Sequence, residues 1–222
     1  LARIDEKTII QHVYERASAC RQLDRVVVAT DDQRVVDEVK SFGGQAYLTS
    51  PSHRNGTERC AELARQLDVT HCVNIQGDEP LIEPNQIDTV CHLLQQGAEI
   101  ATLKKQISSQ EDLLDPNIVK VVTNLNDDAM YFSRSIIPYP RLSLEHVHYR
   151  HLGLYGFEAN ILQQIVALHP TPLEQSESLE QLRWLQHGYS ISVGVTELDS
   201  IGVDTPADLK KVQSIVNDRK ST

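Results

Sequence analysis

Apolar residues at Ile9, Ile10, Val13, Tyr14, Ala17 and Cys20 recur at helical spacing, and the run RVVVAT at 25–30 behind them is apolar without alternation. Such a run of β-branched residues predicts a short strand buried on both faces, the habit of parallel sheets. The pattern then repeats, with helices over 32–42, 57–67 and 85–96 and strands over 45–48, 71–76 and 99–103. Strands alternating with helices imply right-handed crossovers and an open α/β sheet, mostly parallel and covered by helices. Gly43-Gly44 falls between a helix and a strand, which predicts a helix C-cap rather than a phosphate loop.

From Asp115 the texture changes. Strand-like runs at 118–123, 129–133 and 149–157, with turns at Pro138 and Pro140, predict a small mixed insertion around 115–157 within one compact domain over 1–222. Leu173, Leu179, Leu182 and Leu185 form the core stripe of a helix over 173–187. A strand over 190–196 and a last helix opened by Thr205-Pro206 complete the chain.

Charge narrows the function. The 222 residues carry 21 Lys and Arg against 31 Asp and Glu, a formal net charge of −10, with no basic run. This balance argues against a nucleic-acid or polybasic membrane role, and an anionic ligand must be held by local charge from Mg²⁺ or a few converging arginines. No apolar stretch approaches a membrane span. Cys20, Cys60, Cys72 and Cys91 form no CxxC pair and predict reduced, buried thiols in a cytoplasmic protein. Leu1 opens the chain without an initiator Met or a secretory segment, so processing or a longer natural chain is expected at this end.

The candidate chemistry sits at strand ends. In THCVNIQGDEP, Gly77 permits a tight turn after Gln76 that leaves Asp78 and Glu79 at the carboxyl end of the sheet, where open α/β folds bind ligands. Asp78 there is either a hard-oxygen ligand for Mg²⁺ or a helix cap. Asp204 in SIGVDTPADL has the same two readings; together the carboxylates would form the clamp that metal-assisted nucleotidyl transfer needs. TSPSHRNGTER offers backbone N–H groups around Gly56, with Arg54 and Arg59, to a nucleotide, or else is an ordinary turn capped by Thr57 with Glu58 in the first helical turn.

Arg134 ends MYFSR, and YRHLGLYGF carries Arg150, His151 and Tyr155, the last two on one face of a regular strand. Cations for a carboxylate and phenolic groups for hydroxyls suit a sugar acid; a buried tyrosine and a satisfied histidine are the structural alternative. Glu180 either faces that pocket or pairs with Arg183 at i+3. His146, His148 and His151 match no zinc spacing, and no Ser-His-Asp triad stands out.

Taken together, NGTER at 55–59, QGDEP at 76–80, YFSR at 131–134, RHLGLYGF at 150–157, LEQLR at 179–183 and GVDTP at 202–206 resemble the 3-deoxy-manno-octulosonate (Kdo) cytidylyltransferases, in the same order. The resemblance implies a single-domain Rossmann-like nucleotidyltransferase whose insertion contributes to a homodimer interface. It further implies Mg²⁺-dependent transfer of CMP from CTP to the anomeric hydroxyl of Kdo, with release of pyrophosphate, in the cytoplasmic supply of lipopolysaccharide. Motif by motif, it implies Asp78 and Asp204 as metal ligands. Arg54, Asn55, Gly56, Thr57 and Gln76 would face the nucleotide, while Gln76, Arg134, His151, Tyr155 and Glu180 would surround the sugar acid.

Two features depart from the family pattern. The family opens with a strand and a basic loop ending in Gly-Lys-Pro that holds the triphosphate, and this sequence starts just after it. The stretch from Arg141 to Tyr149 is short by comparison. Competing readings are a cytidylyltransferase for 8-amino-Kdo or sialic acid, and a non-catalytic nucleotide-binding module that lacks the opening loop.

Overall fold

The computed structural model describes residues 1–141 and 147–220, and the side chains to residue 217. The expectation for the stretch from Arg141 to Tyr149, and His146 within it, therefore lies largely outside the described residues. In chain order the elements begin with β1 (Arg3–Ile4), β2 (Lys7–Thr8), α1 (Ile9–Ser18), β3 (Val28–Thr30), α2 (Gln33–Ser41), β4 (Ala46–Leu48) and α3 (Gly56–Leu67). There follow β5 (His71–Asn74), α4 (Pro84–Gln95), β6 (Ile100–Gln106), α5 (Gln110–Leu114), β7 (Lys120–Thr123), β8 (Ala129–Ser133) and β9 (Tyr149–Glu158). The chain ends with α6 (Ala159–Val166), α7 (Pro172–Glu177), α8 (Gln181–Gln186), β10 (Ser192–Val195) and α9 (Pro206–Lys220).

These elements divide into two compact units. The first comprises Leu1–Asp68, Asn74–Asp88 and the chain from Asp199 onward; the second comprises Val69–Val73 and Thr89–Leu198.

In the first unit, α1 buries Ile9, Val13 and Ala17, and α2 buries Val36 and Val39, as the apolar spacing requires. The α2 terminus is a Schellman cap: Gly43, at φ +82°, donates to Lys40 O and Gly44 N–H donates to Val39 O. Gly43-Gly44 is thus a cap, as its place between helix and strand predicts. β3 pairs in parallel with β4 in a two-stranded sheet, and its residues are only half-buried. The run at 25–30, expected to be buried on both faces, has β4 as its one paired neighbour among the described residues.

The second unit is built on a six-stranded sheet ordered β10-β6-β9-β7-β8, with β5 also paired to β9. This sheet is mixed, which corrects the expectation of a mostly parallel one. β10 and β6 are parallel, whereas β9 runs antiparallel to β6 and β7, and β7 runs antiparallel to β8. Apolar runs reveal burial but not the neighbour that covers each edge, and the short connection between β7 and β8 permits only an antiparallel pair. Gly156 on β9 lies where a Cβ would stand 2.5 Å from Val90 Cγ1 and 2.8 Å from Leu94 Cδ1, so α4 packs directly on the strand backbone.

The helix expected over 173–187 is two helices. α7 ends at Ser178, whose φ of +53° is left-handed, and α8 starts three residues later. The leucine spacing survives this break because Leu179 and Leu182 remain buried on one side.

Candidate active site

In the first unit, the chain leaves β5 and turns at Gly77. Glu79 N–H donates to Gln76 O, fixing the turn, and a second segment is stapled to it: Val203 N–H donates to Asp78 O at 2.9 Å, and Ser200 Oγ donates to the Glu79 carboxylate. These contacts bring Asp78 and Asp204 into one neighbourhood. Burial, and then the negative charge of Asp204, push the Asp78 carboxyl above its ordinary range. No described cation pairs with either carboxylate.

Neither aspartate caps a helix. The start of α9 is capped by Thr205, whose hydroxyl accepts from Asp208 N–H at 3.2 Å while the Asp208 carboxylate accepts from Thr205 N–H at 2.9 Å. Asp78 lies in a turn six residues ahead of α4. Two hard-oxygen donors without a counter-cation fit Mg²⁺, which is held by few protein carboxylates and fills its other positions with water and phosphate oxygens. No cluster of three or more His, Cys, Asp or Glu suited to a metal occurs among the described residues.

The loop before α3 belongs to the same unit. Its cap is Asn55, not Thr57: Asn55 Oδ1 accepts from Glu58 N–H at 3.0 Å, and Thr57 is buried at the second helical position. An asparagine side chain reaches N3 as well as a threonine does, and Gly56 lets the helix begin one residue earlier. A Cβ on Gly56 would lie 3.4 Å from Asn74 Nδ2 and 3.8 Å from Gln76 Nε2, so Gly56 and Gln76 share a surface.

Arg54 is exposed and ion-paired with Glu58 at 2.5 Å. Arg59 bonds Thr49 Oγ1, Ser50 O and the Asp31 carboxylate. Sequence reasoning missed the brace behind the loop, where Glu62 accepts from Ser50 N–H and binds His53 Nε2 at 2.5 Å. Its only signal was a glutamate one turn after Glu58.

In the second unit, β9 carries His151 and Tyr155, but not as members of a regular strand. Two steps along β6, Ala101 to Leu103, are matched by four along β9, Gly156 to Leu152, so β9 bulges. Four residues of regular strand span about 13 Å. The bulge brings the two rings to a centroid separation of 5.2 Å. Thr102, which spacing did not mark, lies beneath it, with Oγ1 2.9 Å from Leu154 O, 3.1 Å from Leu152 O and 3.0 Å from His151 Nε2.

The single proton of the Thr102 hydroxyl is spent on a bulge carbonyl, which assigns the His151 proton to Nε2 and leaves Nδ1 as an acceptor. Burial and the adjacent Arg150 push His151 down to about 3, so the ring is neutral at physiological pH. Tyr155 is 8% exposed, and its hydroxyl, although near Thr102, makes no hydrogen bond of sound geometry. Burial, and then the charge of Glu180, raise its pKa further. Trp184 and Phe157 support the Tyr155 ring at centroid distances of 5.2 and 5.9 Å.

Glu180 pairs with Arg183 at 2.5 Å, the ion-pair reading, and its negative charge adds to the upward push on the Tyr155 pKa. Arg134 follows β8, half-buried, with its guanidinium on main-chain carbonyls. Gln76 belongs to the first unit, whereas Arg134, His151, Tyr155 and Glu180 belong to the second.

The chain as a whole has counterparts among known proteins. The profile of a family described as Cytidylyltransferase matches residues 1–191. The 3-deoxy-manno-octulosonate cytidylyltransferase of Parabacteroides distasonis is 47% identical over 233 residues, covering 99% of this chain and 92% of its own. That of Cytophaga hutchinsonii is 44% identical over 221 residues, covering 96% and 88%. The chain belongs to the 3-deoxy-manno-octulosonate cytidylyltransferase family.

A solved family structure, CMP:2-keto-3-deoxy-manno-octonic acid synthetase complexed with CTP, superposes with a TM-score of 0.94 at 40% identity, over 99% of this chain and 91% of that one. The 4-diphosphocytidyl-2C-methyl-D-erythritol synthase of Anaerococcus prevotii, at TM-score 0.66 and 11% identity over 97% and 91%, shares the nucleotidyltransferase fold alone.

Proposed function

We propose that this chain transfers CMP from CTP to the anomeric hydroxyl of 3-deoxy-manno-octulosonate. The hydroxyl oxygen bonds to the α-phosphorus, the bond from that phosphorus to the pyrophosphate oxygen breaks, and the hydroxyl proton is lost to solvent. The observation that carries this reading is the Asp78–Asp204 pair, two carboxylates held together by the Val203–Asp78 staple with no cation paired to them among the described residues. Mg²⁺ held by Asp78 and Asp204 would neutralise triphosphate charge and acidify the attacking hydroxyl.

The remaining roles follow from the side chains. Arg54, Asn55, Gly56, Thr57 and Gln76 contact the nucleotide, with Gly56 leaving free the space in which a Cβ would touch Asn74 and Gln76. Arg134 takes the sugar-acid carboxylate. Neutral His151 accepts a hydrogen bond from a sugar hydroxyl at Nδ1, and Tyr155 donates one from its orphaned hydroxyl, a bond the free protein does not have. Gln76 and Glu180 bind further hydroxyls.

The same reading makes the enzyme cytoplasmic and homodimeric. All four cysteines are free, and no described helix is long and apolar enough to cross a membrane. Leu125, Met130 and Tyr139 stand exposed within the 115–157 insertion, the apolar surface a dimer would cover.

The test is pyrophosphate release with CTP and Mg²⁺, comparing 3-deoxy-manno-octulosonate, its 8-amino analogue and sialic acid. The reading predicts the highest kcat/KM for the first. Comparable values for all three would reject the substrate, and CTP binding without pyrophosphate release would reject the reaction.

A further inference from the structure

We infer that Glu177, together with the left-handed turn at Ser178, is the positioning device that holds the Arg134 guanidinium open for a carboxylate. The inference rests on reading Arg134 as the partner of the sugar acid, and it explains why the helix expected over 173–187 is broken.

The geometry runs through one turn. Glu177 spends its two carboxylate oxygens on β8, accepting from Ser133 Oγ at 2.7 Å and from Arg134 N–H at 2.9 Å. Neither oxygen makes an ion pair with the guanidinium. The end of α7 frees the carbonyls of Glu177 and Ser178, and these accept from Arg134 Nε at 2.7 Å and Nη2 at 3.4 Å. Pro116 O accepts from Nη1 at 3.1 Å. The Arg134 carbonyl is held in turn by Lys120, a fully buried lysine whose Nζ donates to it at 3.2 Å and to Asp115 O at 2.7 Å.

Arg134 is therefore fixed at its backbone by the Glu177 carboxylate and the Lys120 ammonium, and at its guanidinium by neutral main-chain carbonyls. Among the described residues no carboxylate forms an ion pair with its guanidinium, and two of its five N–H donors remain for a ligand. An arginine serving only the fold would be matched by a carboxylate; here the available carboxylate grips the backbone instead. A continuous helix would keep the carbonyls of Glu177 and Ser178 in its own ladder and leave the guanidinium to rotate.

The experiment compares wild type with Glu177→Ala, Glu177→Gln, Ser133→Ala and, as a reference, Arg134→Ala. It measures KM and kcat for each substrate and binding of 3-deoxy-manno-octulosonate by calorimetry. Losing a charge-assisted contact predicts a rise of about tenfold in sugar-acid KM and Kd for Glu177→Ala, with kcat and the KM for CTP within about twofold. Glu177→Gln, which keeps one acceptor oxygen, restores part of the affinity, and Ser133→Ala raises the KM about twofold to threefold.

An unchanged sugar-acid KM in folded Glu177→Ala overturns the inference, as does a parallel loss of kcat and CTP affinity. If Glu177→Ala does not fold, Ser133→Ala decides, and no change there overturns it. Turnover by wild type with no effect of Glu177 rejects the positioning role alone. Sugar-acid binding that weakens in Glu177→Ala, without pyrophosphate release by wild type, rejects the proposed reaction alone. No binding and no turnover by wild type reject both.

Discussion

Asp78 and Asp204 in the first unit and Arg134 in the second are opposite in sign and alike in design. Among the described residues, the first unit keeps two carboxylates together with no cation paired to them, and the second keeps a guanidinium with no carboxylate ion-paired to it; in each, main-chain hydrogen bonds do the holding. Neutral acceptors and donors fix a charge without cancelling it, so the ligand supplies the counter-charge. The cost falls on the free protein, since repulsion and burial weaken the folded state until the ligand arrives.

Asp78→Asn breaks the comparison most sharply. Turnover should fall by about a hundredfold to a thousandfold while CTP affinity changes little, as measured by steady-state kinetics and calorimetry. The same variant should melt no lower than wild type in metal-free buffer at neutral pH. A carboxyl raised in the folded state binds its proton more tightly there than in the unfolded chain. It therefore destabilises the fold above that raised value, a penalty the neutral amide removes. Near-normal turnover at saturating Mg²⁺ would reject the assignment.

Tyr155→Phe tests the second unit by the same reasoning. Sugar-acid KM should rise about threefold to tenfold. Removing an unpaired buried hydroxyl should raise the thermal midpoint of the ligand-free protein by about 2–4 °C, given roughly 1 kcal/mol for a chain of this size. A lower midpoint would show that the hydroxyl is already paired.

Mg²⁺ should stabilise wild type through mass action, by about 2.7 kcal/mol at a hundredfold excess over Kd, and so raise its melting temperature, while leaving Asp78→Asn unmoved. An equal shift in both places the cation elsewhere.

The smallest effect concerns His151. As pH falls below about 6.5 the unfolded chain takes up a proton that the folded His151 refuses until about pH 3, so stability declines across that window. His151→Phe should flatten this part of the stability profile while leaving the alkaline side unchanged, as followed by denaturant titration at a series of pH values. An unaltered acid slope would mean that the ring takes up its proton normally in the folded chain.

Much of the fold was legible in local pattern. The spacing of Ile9, Val13 and Ala17, the cap at Gly43-Gly44 and the Thr205-Pro206 start of α9 all depend on neighbours along the chain. The strand partners of β9 were not legible, because apolar runs carry no pairing information. The candidate residues could be marked because Gly77, Gly56 and the charged side chains beside them sit at ends of elements. Their two-way readings could not be resolved. Whether an aspartate caps a helix depends on where the helix begins, and Thr205 and Asp208 already cap α9.

By itself, then, the sequence determined the caps at Gly43-Gly44 and Thr205-Pro206 and which residue types stand at the strand ends, because those choices are made within a few residues. The tertiary structure alone decided that β9 bulges to bring His151 within 5.2 Å of Tyr155, that a left-handed Ser178 turns carbonyls toward Arg134, and that Val203 staples Asp204 to Asp78. Each of these joins residues far apart along the chain, and such contacts form only when packing fixes both partners at once.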